Sequence, residues 1–187
     1  MSLGLAETAK ALECNERTLR RYVNEGLVRG ERHGRQELRL PYREERYLRE
    51  HWGLLSGLRR ALRTEHGVRL AVLFGSTATG EDAPSSDVDL LIEHSTGDLE
   101  QVVELQRRLQ ARIGRPIHLV LLEDAEQSPP LLADVLEEGR PIVDRNGTWR
   151  RLQRDRRRVS RRAAAQEEAT HFAALRAVAD ARGRLPA

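Results

Sequence analysis

Apolar residues in the first third of the chain recur at the three- and four-residue spacing of amphipathic helices. The spacing predicts two short helices, over residues 6–12 and 17–24, with a polar turn between them and a stop at Gly26. Residues 27–40 follow a different pattern, that of a small hairpin which turns near Gly34. We therefore predict a helix-turn-helix followed by a wing.

A longer apolar stripe comes after this wing. Pro41 is suited to begin a helix, and the helical pattern continues to about residue 66. The residues of the stripe are Leu48, Trp52, Leu55, Leu58 and Leu62. The stripe is expected either to pack on the rest of the chain or to form the coiled coil of a homodimer, and the sequence leaves both open.

The middle of the chain has compact apolar runs in place of helical stripes. Residues 70–74, 88–92 and 117–122 are suited to central strands. An amphipathic helix lies between the last two runs, a second helix covers residues 131–138, and residues 141–143 add a short strand. The apolar positions of the first helix are Leu99, Val102, Leu105, Leu109 and Ile113. This order of strands and helices predicts an α/β fold.

Composition narrows the class of protein. Cys14 is the only cysteine, which excludes an intramolecular disulfide and a cysteine-based metal cluster. No apolar run approaches the roughly 18 residues of a membrane span. The N-terminus also lacks the basic and apolar regions of an export signal. We expect a cytoplasmic protein without membrane contact.

The formal net charge of +3 hides a division of the chain into three parts. Residues 1–66 carry +4, residues 67–147 carry −8 and residues 148–187 carry +7. These parts match a winged helix-turn-helix with its linking helix, an acidic α/β domain, and an Arg/Ala-rich tail that is helical or partly disordered. The arginines of the tail are expected to be solvated, or else to contact nucleic acid or an acidic partner such as the chain's own middle domain.

Four residues near the first two predicted strands carry the candidate chemistry. Asp87 and Asp89 fall on one face of a strand, with one residue between them. Two carboxylates this close repel each other unless a cation binds between them, and their hard oxygens suit Mg²⁺. Gly75 allows backbone to approach a ligand closely, and Ser76 offers a hydroxyl and a backbone N–H to a phosphate. The pattern predicts a nucleotide site with Mg²⁺, the alternative being carboxylates that merely follow a polar turn.

Phe74-Gly75-Ser76, followed after ten residues by Asp87-Val88-Asp89, resembles the signature of minimal nucleotidyltransferases of the DNA polymerase β superfamily. The resemblance covers about residues 67–147. It implies an α/β (α+β) fold built on a small mixed sheet with helices on one side. It also implies ATP or another nucleoside triphosphate as donor, and Mg²⁺ held by Asp87 and Asp89.

Two features depart from the pattern of that family. His118 stands where relatives supply a third carboxylate, so it either acts as base or ligand or marks a site that binds nucleotide without catalysis. Glu93 lies farther from the metal end, and residues 123–124 are expected in a solvated loop. Thr77 and Thr79 occupy places where relatives often carry arginine, which implies weaker triphosphate binding or completion by a partner.

The segment over residues 16–28 resembles the recognition-helix region of MerR-type winged helix-turn-helix proteins, within a resemblance that covers roughly residues 3–52. It implies DNA binding through residues 1–40, with a helix in the major groove and wing arginines on phosphates. The residues expected on DNA are Arg17, Thr18, Arg20, Arg21, Arg32 and Arg35. The alternative is a helical docking or oligomerisation module whose arginines form a solvated face.

The resemblance to minimal nucleotidyltransferases implies transfer of a nucleoside monophosphate from a triphosphate, such as ATP, to a hydroxyl of a protein or nucleic-acid acceptor, and the MerR-type resemblance implies that the same protein also binds DNA. The expected catalytic residues are Asp87, Asp89 and His118, and the nucleotide is expected to contact Gly75, Ser76 and Asp87. Domains of this kind frequently act as antitoxins, so a cognate toxin is the expected protein partner. The alternative is a DNA-binding transcriptional regulator whose middle domain binds nucleotide without catalysis.

Overall fold

The computed structural model describes residues 4–33 and 37–182 of the 187-residue chain. Its helices are α1 (Leu5–Ala11), α2 (Glu16–Glu25), α3 (Tyr42–Arg63), α4 (Ser76–Thr79), α5 (Leu99–Ile113), α6 (Leu122–Gln127), α7 (Pro129–Glu138) and α8 (Thr148–Arg182). Its strands are β1 (Glu31–His33), β2 (Glu37–Arg39), β3 (Val68–Phe74), β4 (Val88–His94), β5 (Ile117–Leu121) and β6 (Arg140–Asp144).

The N-terminal elements follow the predicted order of helix, turn, helix and hairpin. Asn15 caps α2, because its side chain accepts a hydrogen bond from the backbone N–H of Arg17 at 2.8 Å. Gly26 ends the helix in the left-handed conformation, with φ 84°. Strands β1 and β2 pair antiparallel, and residues 34–36 between them lie outside the described residues. The order of these elements is the predicted one, while the winged helix-turn-helix and the resemblance to MerR-type proteins stay predictions.

The central sheet has four strands in the order β5-β4-β3-β6. Strand β4 pairs parallel with β5, whereas β3 pairs antiparallel with both β4 and β6. Helix α5 supplies the crossover that a parallel pair requires. The predicted α/β fold with a small mixed sheet is therefore confirmed.

Both faces of this sheet are covered by helices, although the resemblance implied helices on one side. Leu73 and Leu90 pack with α3 and α5, whereas Val72 and Leu91 pack with α7 and α8. All four side chains are fully buried. Strands that are buried on both faces read as continuous apolar runs and need cover on both sides. The second helical layer is formed by α6, α7 and α8. The expectation of helices on one side of the sheet did not include this layer.

The apolar stripe of α3 packs inside the chain. Leu48, Leu55, Leu58 and Leu62 are at most 1% exposed and belong to the same apolar cluster as strands β3 and β4. Of the two possibilities that the sequence left open, packing on the rest of the chain is the one observed. Helices α1 and α2 contribute to this cluster as well, so one continuous core runs across residue 66.

The C-terminal part is more regular than expected. Helix α8 has 35 residues, so the Arg/Ala-rich tail is helical through Arg182. Its first half packs on α7 through Trp149 and Val159. Residues 123–124 lie in α6 and not in a loop, although both side chains are exposed as predicted. Within the described residues, no helix combines the length and the apolar character needed to cross a membrane.

Candidate functional site

The predicted glycine-serine pair lies at the turn between β3 and α4. Gly75 has φ 69° and ψ −160°, a region of backbone conformation that is essentially restricted to glycine. A Cβ atom at this position would lie 2.7 Å from Asp89 Oδ2. Gly75 therefore permits the turn and also lets the backbone lie directly against the Asp89 carboxylate. Ser76 follows at the first residue of α4.

Asp89 and His118 are paired positions on the parallel strands β4 and β5. His118 Nδ1 lies 3.1 Å from Asp89 Oδ1. Because a carboxylate only accepts, Nδ1–H is the donor, and a neutral ring then keeps a free lone pair on Nε2. The Asp89 side chain is 26% exposed and that of His118 is 62% exposed, so a ligand can reach both.

Asp87 lies immediately before β4 and is exposed. The Thr77 hydroxyl donates to the backbone oxygen of Asp87 at 3.2 Å, which ties α4 to the beginning of the strand. In the described part of the chain, the Asp87 carboxylate has no ion-pair partner and no hydrogen-bond donor. Its oxygens are therefore available to a ligand.

The carboxylates of Asp87 and Asp89 provide part of a ligand set for Mg²⁺ at this edge of the sheet. Among the described residues, no three His, Cys, Asp or Glu side chains converge as a complete metal site. Mg²⁺ is nevertheless commonly bound through one or two carboxylates while substrate phosphates and water supply the other ligands. Asp87 and Asp89 thus fit a cation that binds together with a nucleotide.

The loop that carries Asp87 is held from two sides by residues that sequence analysis missed. Arg115 donates to the backbone oxygen of Ser86 at 2.7 Å and to the Asp82 carboxylate at 2.9 Å. His51 of α3 contacts the other Asp82 oxygen at 2.7 Å. Burial alone would raise the pKa of Asp82, but hydrogen bonds from His51 and Arg115 outweigh it and lower that pKa. These partners lie 31 and 33 residues from Asp82, so no local pattern marked them.

A buried ion pair, also missed from sequence, joins the N-terminal elements to α4. Arg140 donates to both carboxylate oxygens of Glu44, at 2.6 and 2.9 Å. Its Nε donates to the Ala78 backbone oxygen at 2.8 Å, and its guanidinium lies 3.7 Å from the centroid of the Tyr47 ring. Burial raises the pKa of Tyr47 to about 12, so its hydroxyl stays protonated and donates to the Thr77 backbone oxygen. We call this set the Arg140 junction.

Thr77 and Thr79, at the places where the resemblance implied arginine in relatives, both make hydrogen bonds within the chain. Thr77 is fully buried, so its side chain is unable to reach a triphosphate as an arginine would. The Thr79 hydroxyl donates to the Ser76 backbone oxygen at 3.0 Å. Glu93 accepts hydrogen bonds from Thr148 and Asn146 near the other end of β4, which places it outside the candidate nucleotide site.

The residues predicted to contact DNA lie on α2 and β1 where they are described. Arg17, Arg20, Arg21 and Arg32 are exposed, Thr18 is half-buried, and Arg35 lies outside the described residues. Two of the arginines on α2 pair with glutamates of the same helix, over 2.8 and 3.8 Å. Arg32 of β1 donates to Asn24 Oδ1 at 3.1 Å. The positive charge of this surface is therefore partly neutralised within the chain.

Comparisons with known proteins place the site in a family context. Residues 57–148 match the family model described as polymerase beta, nucleotidyltransferase. A candidate protein adenylyltransferase of Methanocaldococcus jannaschii is 34% identical over 81 residues, which cover 42% of this chain and 84% of that protein. Protein adenylyltransferase MntA of Thermococcus cleftensis is 35% identical over 75 residues, which cover 40% and 76%.

Solved structures give a consistent picture of the fold. A crystal structure of a toxin-antitoxin with AMP-PNP has a TM-score of 0.54 and 21% identity, covering 65% of this chain and 98% of that chain. A mutant MntA-HpeT toxin-antitoxin structure has a TM-score of 0.54 and 20% identity, with the same coverage. At this level of identity the similarity shows a shared nucleotidyltransferase fold.

Proposed function

Because the chain belongs to the polymerase beta nucleotidyltransferase family, we propose that it transfers AMP from ATP to a hydroxyl group on a protein. The observation that carries this proposal is the contact of Gly75, Asp89 and His118 at one edge of the sheet. This cluster combines backbone that a phosphate can approach, a carboxylate for a cation and an imidazole for a proton. The relatives named as protein adenylyltransferases support AMP as the group and protein as the acceptor.

Binding of the triphosphate falls to the turn between β3 and α4. Gly75 and Ser76 contact the phosphates through backbone N–H groups and the Ser76 hydroxyl. Asp87 and Asp89 hold Mg²⁺, which neutralises phosphate charge when bound. The exposed Asp87 carboxylate and the exposed fraction of Asp89 support this role.

His118 is assigned the proton transfer. Its Nε2 takes the proton of the acceptor hydroxyl while that oxygen forms a bond to the α-phosphorus of ATP. The bond between the α-phosphorus and the bridging oxygen breaks, and pyrophosphate leaves with the electron pair. Asp89 Oδ1, at 3.1 Å from Nδ1, stabilises the imidazolium that forms.

The acceptor is proposed to be a cognate toxin, and the N-terminal elements are proposed to bind DNA in regulation of the same operon. The similarity of fold to toxin-antitoxin structures supports the first part. The exposed arginines of α2 support the second, together with the helix, turn, helix and hairpin order. A protein can approach the site because His118 is 62% exposed.

The decisive test is calorimetric titration of ATP with Mg²⁺, with pyrophosphate release followed in the same samples. Wild type is expected to bind ATP and to release pyrophosphate when the toxin is present, whereas Asp87→Asn/Asp89→Asn is expected to do neither. The matched control is Glu123→Gln/Asp124→Asn, which removes two exposed carboxylates from α6. Binding that survives in the aspartate variant, or that is lost in the control variant, would contradict the assigned site.

The second candidate is a regulator that binds nucleotide without transfer, and His118 in place of a third carboxylate favours it. The variant His118→Asp distinguishes the enzyme from the regulator. If His118 is the working base, His118→Asp and His118→Ala both reduce pyrophosphate release, by roughly 10²- to 10⁴-fold for His118→Ala. If wild type binds ATP but releases no pyrophosphate, and His118→Asp gains release, the chain is the regulator.

A further inference from the structure

Helix α8 presents a continuous row of arginines to solvent. Eight arginines lie between Arg150 and Arg162, with Asp155 as the only carboxylate among them. Arg150, Arg154, Arg157 and Arg161 recur at steps of four, three and four residues, which places them in one row along the helix. All four are exposed, whereas Trp149, Val159 and Ala163 on the opposite side are buried.

This row has no acidic partner within the described part of the chain. Neighbouring arginines outside the row do have partners: Arg156 pairs with Glu137, and Arg158 pairs with Asp155. None of the hydrogen bonds or ion pairs among the described residues involves a side chain of the row. The acidic middle of the chain therefore does not neutralise it.

Helix α5 shows that arginine content alone does not produce such a row. Arg107 and Arg108 each approach Glu104 of the same helix, and Arg108 and Arg112 both pair with Glu65. Like charges at i, i+4 destabilise a helix, so a row without carboxylates lowers the stability of α8. An anionic partner that binds along the row would relieve this repulsion.

A cleft of about 610 Å³ lies between the beginning of the row and helix α2. The residues that line this cleft include Arg21 and Asn24 of α2 and Arg150 and Gln153 of α8. Arg59, which also lines the cleft, forms an ion pair with Glu25 at 2.6 Å. Its guanidinium is therefore already neutralised within the chain. The rim thus connects the exposed surface of α2 to the beginning of the row.

We propose that the Arg150–Arg161 row binds the phosphodiester backbone of a nucleic acid, independently of base sequence. The row extends over roughly 16 Å at 1.5 Å per residue, a length along which a nucleic-acid strand presents several regularly spaced phosphates. A nucleic acid matches its regular, one-sided charge better than an acidic protein, whose carboxylates are sparser. Guanidinium groups also bind phosphate bidentately. Nothing in this inference depends on nucleotide transfer or on base recognition by α2.

The test is binding of the full chain to a random-sequence DNA duplex and to RNA of the same sequence, by fluorescence anisotropy between about 50 and 200 mM salt. The variant Arg157→Gln/Arg161→Gln removes two charges from the row, far from the cleft. Arg69→Gln/Arg107→Gln removes two exposed charges elsewhere and is the matched control. All measurements are repeated in the background Arg17→Gln/Arg20→Gln/Arg21→Gln, which removes the three arginines of α2 that are proposed to contact DNA.

The row variant is expected to bind more weakly to every sequence, and the slope of log K against log salt is expected to become shallower by about 1 to 2. The control variant should keep the wild-type slope, and the difference should persist in the α2 background. Equal slopes for the row and control variants would overturn the proposal, as would absence of binding at the lowest salt. Competition by polyglutamate as effective as by nucleic acid would overturn it too, in favour of an acidic protein.

Discussion

The two charged clusters on either side of α4 are built in opposite ways. In the Arg140 junction, the guanidinium has a carboxylate, two backbone oxygens and an aromatic ring as partners, and is nearly inaccessible to solvent. At the candidate nucleotide site, His118 is the one side-chain partner of Asp89 among the described residues, and both side chains are partly exposed. A buried charge is stable only with a full set of partners, whereas an incomplete, accessible set is available to a ligand. The first cluster therefore stabilises the fold, and the second is suited to binding.

Glu44→Ala is expected to have the largest effect on stability. It leaves Arg140 buried without its carboxylate, which typically costs about 3–5 kcal/mol of unfolding free energy. Urea denaturation measures the change. Glu50→Ala, at an exposed position of the same helix, is the control and should stay within about 0.5 kcal/mol. A loss below about 1 kcal/mol for Glu44→Ala would show that the junction is not a stabilising element.

Arg115→Ala tests how the loop that carries Asp87 is held in place. Arg115 donates hydrogen bonds to both Ser86 and Asp82. Its loss should therefore lower the free energy of opening the loop before Asp87 by about 1.5–3 kcal/mol, the range for hydrogen bonds to charged groups. Amide hydrogen exchange of residues 80–87 should then be roughly 10- to 100-fold faster. Arg107→Ala is the control, because that side chain is 76% exposed and lies on α5. Unchanged exchange in the Arg115 variant would mean that the loop is held by other contacts.

These clusters also differ in how far the sequence predicts them. The spacing of Gly75, Ser76, Asp87 and Asp89 is local and joined to apolar runs, so both the strands and the candidate site could be predicted. His118 is singled out by the family resemblance, as the residue at the expected place of a third carboxylate, and the register of β4 and β5 brings it to Asp89.

The Arg140 junction could not be predicted because its partners are distant in sequence. Arg140 and Glu44 are 96 residues apart, and single charged residues in a sequence normally indicate exposed positions. The helix α6 was missed for a different reason: it begins at Leu122, which continues the apolar run of β5. The second layer of helices became apparent only when both faces of β3 and β4 were seen to be buried.

Gly75→Ala tests whether the turn between β3 and α4 belongs to the candidate nucleotide site. Backbone strain at this φ and ψ costs about 1–3 kcal/mol, and the added Cβ would lie 2.7 Å from Asp89 Oδ2. We expect lower stability and weaker ATP binding with Mg²⁺, measured by urea denaturation and calorimetry. Gly53→Ala is the matched control, because its Cβ meets nothing within 4 Å and α3 should gain about 0.5–1 kcal/mol. ATP binding that is equal in the two variants would remove Gly75 from the site.

The smallest expected effect is the pH dependence that Asp82 contributes. Its pKa in the folded chain lies below the unfolded value of about 3.9, because His51 and Arg115 stabilise the carboxylate. Its contribution to stability is therefore fully present above the unfolded pKa and is lost as the pH falls through the lower, folded pKa. Urea denaturation across this range should show a steeper loss of stability on acidification for wild type than for Asp82→Asn, which retains the shape but not the charge. Parallel curves of stability against pH would mean that Asp82 holds the loop by hydrogen bonding alone. The guanidinium of Arg115 would then act mainly through its hydrogen bonds to the Ser86 backbone oxygen.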